Sequence, residues 1–164
     1  MLIFLDTEYT DSLDCDLISI GMVSEDGRHE LYAERSDYHV EWCSSFVHAA
    51  VLPQLGKTGP AVDRSQLAVK LIDWFAELPR SVTLACDSFT DWELLLDALD
   101  GVRPPNLAGR YDLRANIDSS IFHSAVVRYH ELAGPWHHAL HDARAHRLGW
   151  LAWQDSKKEP LHRI

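Results

Sequence analysis

The sequence predicts an α/β domain in which a mixed sheet is covered by helices. The chain starts with an apolar run, Leu2 to Leu5, that is typical of a buried strand. Two strand-like segments then flank a turn, and the second half alternates strand-like with helix-like segments, as parallel crossovers do. The 164 residues fit one ordinary domain, and we expect a single domain over 1–164 with a C-terminal tail from about residue 155.

The first half of the chain predicts a meander of strands followed by helices. Leu17 to Val23 forms the second strand, and a Glu-Asp-Gly turn leads into the third, His29 to Glu34. One short helix is predicted around Ser44 to Val51, before a loop rich in Gly and Pro. Residues 64–78 then place apolar side chains at helical spacing, and a proline ends that helix.

The second half predicts two strand–helix pairs and a last helix. The strand Ser81 to Asp87 is followed by a helix that begins at Asp91, because Thr90 and Glu93 have the spacing of a capping box. The remaining predicted segments are a loop at 101–109, a short strand at 110–113, a helix at 117–131 and a final helix from 138 to about 154.

Charge and composition limit the kinds of partner. The formal net charge of −10 argues against a general nucleic-acid binder, since such proteins normally present a basic surface. Acids gathered around divalent cations are neutralised locally, so metal-dependent binding of a few nucleotides fits this charge. No apolar stretch is long enough to span a membrane and no signal peptide precedes the first strand, so we expect a soluble, cytoplasmic protein. The three cysteines lack CxxC spacing, and we expect them to be reduced.

Asp6 and Glu8 lie two residues apart directly after the first apolar run. Because side chains alternate along a strand, both carboxylates should project from one face, about 6.6 Å apart, and Thr7 from the other. Carboxylates without Cys or His among them suit hard cations such as Mg²⁺ or Mn²⁺. The alternative is a pair of acids that simply end a strand.

A third acid, Asp91, follows a strand and lies in the first turn of a helix. An acid at that place is favoured by the helix dipole whether or not it binds metal. Asp87, at the end of the preceding strand, is the competing candidate for a middle metal ligand.

The segment HHALHDA adds a histidine and a further acid, His137 and Asp142. On one continuous helix these two would point about 140° apart. We therefore expect His137 in the loop after Gly134 and Pro135, from which its imidazole would reach over a metal held by Asp142. A histidine suits a general base because its ordinary pKa lies near neutrality. The chain holds ten histidines, so a plain surface histidine is the alternative.

These motifs, in this order, resemble those of the DEDD exonuclease superfamily in its histidine-containing branch, which includes oligoribonuclease, RNase T and the proofreading subunit of DNA polymerase. FLDTEYT resembles the hydrophobic-D-x-E motif, LISIGMV the strand after it, CDSFTDWELL the middle motif and HHALHDA the H-x-A-x-x-D-A motif. The short first motif and the small size look most like stand-alone bacterial 3′-to-5′ exoribonucleases of the RNase AS kind.

The resemblance implies a ribonuclease H-like fold with a five-stranded mixed sheet. It implies release of nucleoside 5′-monophosphates from single-stranded nucleic acid or short oligonucleotides, with RNA favoured over DNA, by a protein that is often a homodimer. Asp6, Glu8, Asp91 and Asp142 would hold two Mg²⁺ or Mn²⁺ ions, and His137 would take a proton from the attacking water. The residues expected to contact substrate lie beside these motifs: Thr7, Tyr9, Thr10, Phe89 and Trp92.

Three other interpretations stay open at the level of sequence. His141 and Asp142 form a His-Asp dyad like that of metal phosphohydrolases, with His130 or His137 as a further ligand, although that family looks all-helical. A DNA-specific exonuclease of the same fold would share every motif, because none of them fixes a contact with the 2′-hydroxyl. The third is a non-catalytic binding module that keeps a decayed site.

Overall fold

The described residues, 1–79 and 81–158 of a computed structural model, form a five-stranded sheet with helices on both faces. The strands are β1 Leu2–Tyr9, β2 Leu17–Ser24, β3 Glu30–Glu34, β4 Val82–Cys86 and β5 Leu107–Asp112. The helices are α1 Ser45–Ala50, α2 Arg64–Ala76, α3 Phe89–Ala98, α4 Arg114–Ile117, α5 Ser120–Leu132 and α6 Ala139–Lys158, with short 3₁₀ turns at Val40–Trp42 and Leu52–Gln54.

The sheet is mixed, with strand order β3-β2-β1-β4-β5. The strands β1, β2 and β3 pair in antiparallel fashion, whereas β4 runs parallel to both β1 and β5. The predicted α/β class with a five-stranded mixed sheet is confirmed. This arrangement is that of the ribonuclease H-like fold.

The central strand, β1, is buried on both faces. Ile3 and Leu5 pack in one core with residues of α2 and α3, among them Phe75. Phe4 packs in a second core on the opposite face, with Phe122 of α5 and residues of α6. Because side chains alternate along a strand, the even-numbered residues of β1 face α5 and α6 and the odd-numbered residues face α2 and α3.

Two element boundaries in the second half differ from the prediction. The helix α3 begins at Phe89, two residues before the predicted start at Asp91. Ser88 is its N-cap, because the Ser88 hydroxyl accepts a 3.0 Å hydrogen bond from the backbone N–H of Thr90. The strand β5 begins at Leu107 rather than at residue 110. Pairing with Val82 of β4 extends the strand into a segment whose Gly and Pro content predicts a loop.

The helices at the C-terminal end also differ in extent. The predicted helix at 117–131 is two helices, α4 and α5, separated at residues 118–119. The last helix runs to Lys158, so the predicted tail is helical up to that residue, and residues 159–164 lie outside the described part. All three cysteines are free. Within 1–79 and 81–158, no helix combines the length and the apolar character that a membrane crossing requires.

Candidate metal centre

A cleft of about 500 Å³ opens where the end of β1 meets the start of α6. Asp6 and Glu8 project from the face of β1 that α6 covers, and Asp142 approaches them from the first turn of α6. One carboxylate oxygen from each of these three residues lies within 4.8 Å of the other two. The structure therefore brings together the two acids of the first motif and the acid of the last motif.

Gly21 allows α6 to lie this close to the sheet. It pairs with Asp6 across β1 and β2, on the face that α6 covers. A Cβ atom at this position would overlap the backbone of Ala139 and Leu140. The first turn of α6 therefore rests directly on β2, and this contact places Asp142 over the acids of β1.

Asp142 is held by contacts with both of its carboxylate oxygens. Its Oδ2 accepts a 2.9 Å hydrogen bond from the backbone N–H of His138. Its Oδ1 lies 3.1 Å from Nε2 of His130, an electrostatic contact whose angle is poor for a hydrogen bond. The His130 side chain is fully buried, and its Nδ1 lies 3.1 Å from the carbonyl oxygens of Gly134 and Pro135. These contacts limit the orientations open to the Asp142 carboxylate.

Burial and mutual repulsion raise the pKa values of the acids in the cleft. Burial, followed by the charges of Asp91 and Asp142, raises the pKa of Asp6 well above its ordinary value. Burial and the nearby Asp142 raise the pKa of Glu8 to about 8, and burial raises the pKa of Asp91 to about 7. Burial also raises the pKa of Asp142. A divalent cation would remove this repulsion, and carboxylate oxygens are the ligands that Mg²⁺ and Mn²⁺ take, so the residues present fit such an ion.

Asp91 lines the same cleft but approaches it from the α3 side of the sheet. It is buried, and its Oδ1 accepts a 2.6 Å hydrogen bond from the hydroxyl of Thr7, which points away from the face of Asp6 and Glu8. Asp91 is not in either close-set group of possible ligand atoms among the described residues. Thr7 lines the cleft and its hydroxyl orients Asp91, while its contact with substrate stays a prediction.

Asp87 and His146 form a second close-set group with Asp6. Asp87 directly follows β4, and Nε2 of His146 lies 3.9 Å from its Oδ2. The sequence predicts Asp87 only as a competitor of Asp91, and His146 is not predicted at all. The available signal is the four-residue spacing from Asp142 to His146, which places both side chains on one face of a helix.

His137 stands at the rim of the cleft, in the loop before α6, as expected. It is exposed and has a φ of 60°, a left-handed conformation that is uncommon outside glycine. Its ring meets the ring of Phe46 edge-on, with the centroids 4.8 Å apart. The amide of Gln54 donates hydrogen bonds to the carbonyl oxygens of Trp136 and His137, at 2.6 and 2.9 Å, and so fixes this loop.

The other predicted substrate contacts divide into two groups. Tyr9 and Thr10 line the cleft, but the hydroxyl of Thr10 accepts a 2.8 Å hydrogen bond from the backbone N–H of Asp16 and thereby holds the loop after β1. Phe89 and Trp92 are not among the residues that line the cleft. Phe89 is exposed on the outside of α3, and Trp92 packs against the core beneath α2 and α3.

Two aromatic side chains that the sequence motifs do not single out line the cleft as well. Phe46 lies on α1 and Trp136 lies in the loop before α6; they are 54% and 44% exposed. The ring of Trp136 stacks on the ring of His130 at a centroid distance of 3.9 Å. An exposed aromatic face beside the carboxylates is a surface on which a nucleic-acid base can stack without regard to sequence.

His141 does not share the cleft with Asp142. Its Nδ1 lies 2.7 Å from the hydroxyl of Tyr129, and burial lowers its pKa to about 4. The two adjacent residues therefore have different neighbours, and the His-Asp dyad that a metal phosphohydrolase would need is not formed. The five-stranded sheet also differs from an all-helical fold.

Comparison with known proteins adds a partial similarity. No protein-family model matches the chain. It is similar to the 3′-5′ exoribonucleases MT2234.1 and Rv2179c, from two strains of Mycobacterium tuberculosis. Each is 41% identical to it over 69 residues, which is 42% of this chain. The matched segment spans 40% of the length of either relative.

Proposed function

We propose that this protein is a metal-dependent 3′-to-5′ exoribonuclease that releases nucleoside 5′-monophosphates from single-stranded RNA. The observation that carries this proposal is the close-set group of carboxylates from Asp6, Glu8 and Asp142 in one cleft. The partial similarity to two proteins named as 3′-5′ exoribonucleases supports the direction and the RNA substrate. The motifs resemble those of the histidine-containing DEDD exonucleases, which supports the same reaction.

Asp6, Glu8, Asp91 and Asp142 are the residues that would hold two Mg²⁺ or Mn²⁺ ions. Ions bound there would supply the positive charge that makes a water molecule more acidic and that offsets the charge on a leaving 3′-oxygen. The pKa of Glu8 is raised to about 8, so in the absence of a cation much of this carboxyl group is protonated at neutral pH. Cation binding must then displace a proton, and affinity for the cation should increase with pH.

The residues around the carboxylates supply proton transfer and substrate binding. His137, at the rim, takes a proton from the attacking water, whose oxygen bonds to the phosphorus of the terminal phosphodiester. The bond from phosphorus to the 3′-oxygen breaks, and the departing 3′-oxygen takes a proton from solvent water. Tyr9 lies beside Glu8 and contacts the terminal nucleotide. Phe46 and Trp136 offer ring faces on which bases can stack.

A time course on 5′-labelled single-stranded RNA and DNA of equal sequence tests this function. We expect a ladder that shortens from the 3′ end one nucleotide at a time with Mn²⁺ or Mg²⁺, faster on RNA, and no degradation with chelator. Preference for DNA would favour a DNA exonuclease of the same fold. An unchanged substrate, together with no Mn²⁺ binding by calorimetry, would favour a binding module with a decayed site.

Asp142→Asn tests whether the cleft carries the activity. The variant removes one charge from the close-set group while keeping nearly the same size and shape. We expect the rate of nucleotide release to fall by at least about 10³-fold, in line with loss of a group that acts as part of a unit. Asp73→Asn on the exposed face of α2 is the matched control and should keep wild-type activity. Full activity in Asp142→Asn would contradict the proposal.

A further inference from the structure

Asp87 and His146 add a carboxylate and an imidazole beside the acids of the cleft. They reach Asp6 from two elements: Asp87 directly follows β4, and His146 lies one turn after Asp142 on α6. One ring nitrogen of His146 and one carboxylate oxygen from each of the two aspartates lie within 4.8 Å of one another. This group shares Asp6 with the group of Glu8 and Asp142, so the two groups are adjacent.

The ring of His146 is held in place, and neither of its nitrogens forms a hydrogen bond with the described residues. The side chain is 13% exposed and packs beside the ring of Phe122, at a centroid distance of 6.1 Å. Its Nδ1 is buried and has no hydrogen-bond partner among the described residues. Its Nε2 lies 3.9 Å from Asp87, which is too far for a hydrogen bond. Two ligand atoms about 2.1 Å from one metal ion are separated by about 3 to 4 Å, so the distance fits a shared ion better than a direct bond.

We propose that Asp87 and His146 join Asp6 in holding one of the two divalent ions of the proposed centre, and that the imidazole of His146 gives the protein a preference for Mn²⁺ over Mg²⁺. The biological role of this site rests on the proposed metal-dependent function, whereas the experiments that test the site do not depend on that function. Mg²⁺ takes oxygen ligands and retains its waters, whereas transition-metal ions accept imidazole nitrogen readily. A site made of oxygen ligands alone would favour Mn²⁺ much less.

Electron paramagnetic resonance of the full chain loaded with Mn²⁺ tests the nitrogen ligand directly. We expect electron spin-echo modulation from a directly coordinated ¹⁴N nucleus in the wild-type protein and its loss in His146→Gln. The coupling should persist in His137→Gln, which changes the histidine at the rim, and in His123→Gln, an exposed histidine on α5. Absence of nitrogen coupling in the wild type, or its persistence in His146→Gln, would overturn the proposal.

Titration of free Mn²⁺ and competition with Mg²⁺ test the preference. In His146→Gln we expect Mn²⁺ affinity to fall by about 10-fold or more while Mg²⁺ affinity changes much less, so that the ratio of the two approaches one. Asp87→Asn, which leaves the helix untouched, should also weaken Mn²⁺ binding and gives a second variant if His146→Gln fails to fold by circular dichroism. An unchanged ratio of affinities in His146→Gln, or an unchanged Mn²⁺ affinity in Asp87→Asn, would contradict the proposal.

The outcomes separate this proposal from the proposed function. Nitrogen-coordinated Mn²⁺ in a protein that leaves RNA intact would support the site and contradict the exoribonuclease. Degradation of RNA by a protein whose bound Mn²⁺ shows no nitrogen coupling would support the exoribonuclease and contradict the site.

Discussion

Asp6 and Thr7 are neighbours in the chain, yet their side chains serve opposite faces of β1. Asp6 meets Glu8 and Asp142 on the α6 side, and Thr7 donates its hydroxyl to Asp91 on the α3 side. The alternation could be predicted from sequence because it depends only on adjacent residues. The bond from Thr7 to Asp91 could not, because the two residues are 84 apart in the chain and no local pattern relates them.

Because local patterns do not relate residues that are far apart in the chain, the motifs also miss some residues of the site. His146 carries a usable signal, its spacing from Asp142 on one helix face, but ten histidines in the chain make any single one a weak candidate. Gln54 carries none: its contact with His137 joins residues 83 apart, and it lies in a segment that predicts a loop. Residues that contact a bound ligand can thus be inferred from motifs more readily than residues that hold those contacting side chains in place.

We predict that the metal-free protein loses stability between about pH 5 and pH 8. The folded state raises the pKa of Glu8 from 4.5 to about 8, so the folded chain holds a proton that the unfolded chain releases at lower pH. The stability that this proton contributes is therefore fully present below the pKa of Glu8 in the unfolded chain, and it is lost as the pH rises through the pKa of Glu8 in the folded chain. The loss is on the order of 3 kcal/mol, or about 10 °C in Tm.

Thermal unfolding with chelator at pH 5 and pH 8 measures this effect. Added Mn²⁺ should raise Tm more at pH 8 than at pH 5, because the carboxylates are then ionised and their repulsion is relieved by the ion. An equal Tm at both pH values in chelator would show that the acids in the cleft do not repel one another as described.

Gln54→Ala is predicted to slow nucleotide release without changing metal binding. The substitution removes the amide that holds the carbonyl oxygens of Trp136 and His137, so the loop that carries His137 should become less well positioned. We expect kcat to fall by about 10-fold, less than the roughly 10²- to 10⁴-fold that a general base contributes because His137 itself is retained, with Mn²⁺ affinity within error of the wild type. Unchanged kcat would argue that the loop needs no such anchor.

At the scale of elements, the centre depends on how closely α6 approaches β2. The strands and most helices could be predicted, because apolar periodicity follows from the local sequence. The crossing of α6 over β2 could not, since it depends on a single glycine, Gly21, opposite the backbone of Ala139 and Leu140. The predicted start of β5, at residue 110, was wrong for a related reason. Pairing with β4 begins the strand at Leu107, although the Gly and Pro content of that segment favours a loop.

Gly21→Ala is predicted to separate α6 from the sheet. The added methyl group overlaps backbone rather than a flexible side chain, so the helix must shift and carry Asp142 away from Asp6. We expect a loss of about 1–3 kcal/mol in the free energy of unfolding, which is typical of overpacking. We also expect the fraction of activity that is lost to exceed the fraction of unfolding free energy that is lost, because Asp142 moves away from Asp6. Denaturant unfolding and the ribonuclease time course measure the two effects.

Gly109→Ala on β5 is the matched control for that substitution. A Cβ atom at Gly109 would have no neighbour within 4 Å, so a methyl group there is accommodated without movement. Stability close to wild type in Gly109→Ala and in Gly21→Ala alike would show that the close approach of α6 is not required.

For the whole molecule, a net charge of −10 means that RNA is repelled at long range. The carboxylates of the cleft add to that repulsion unless cations occupy it. We therefore predict that RNA binding, and not only hydrolysis, requires a divalent ion. Fluorescence anisotropy with a short labelled RNA and the His137→Gln variant, in which we expect hydrolysis to be slow, should show binding with Mn²⁺ and none with chelator. Equal binding under both conditions would mean that the RNA binds outside the cleft.

Two acids of the cleft, Asp6 and Glu8, lie on the first strand, and a third, Asp142, lies on the last helix of the described chain. During translation a ribosome therefore makes Asp6 and Glu8 long before it makes Asp142. A nascent chain that ends anywhere before residue 142 lacks the complete set of carboxylates, however well its first strands have formed. The hydrolytic capacity that we propose is thus withheld until Asp142 has been synthesised and α6 has packed on the sheet.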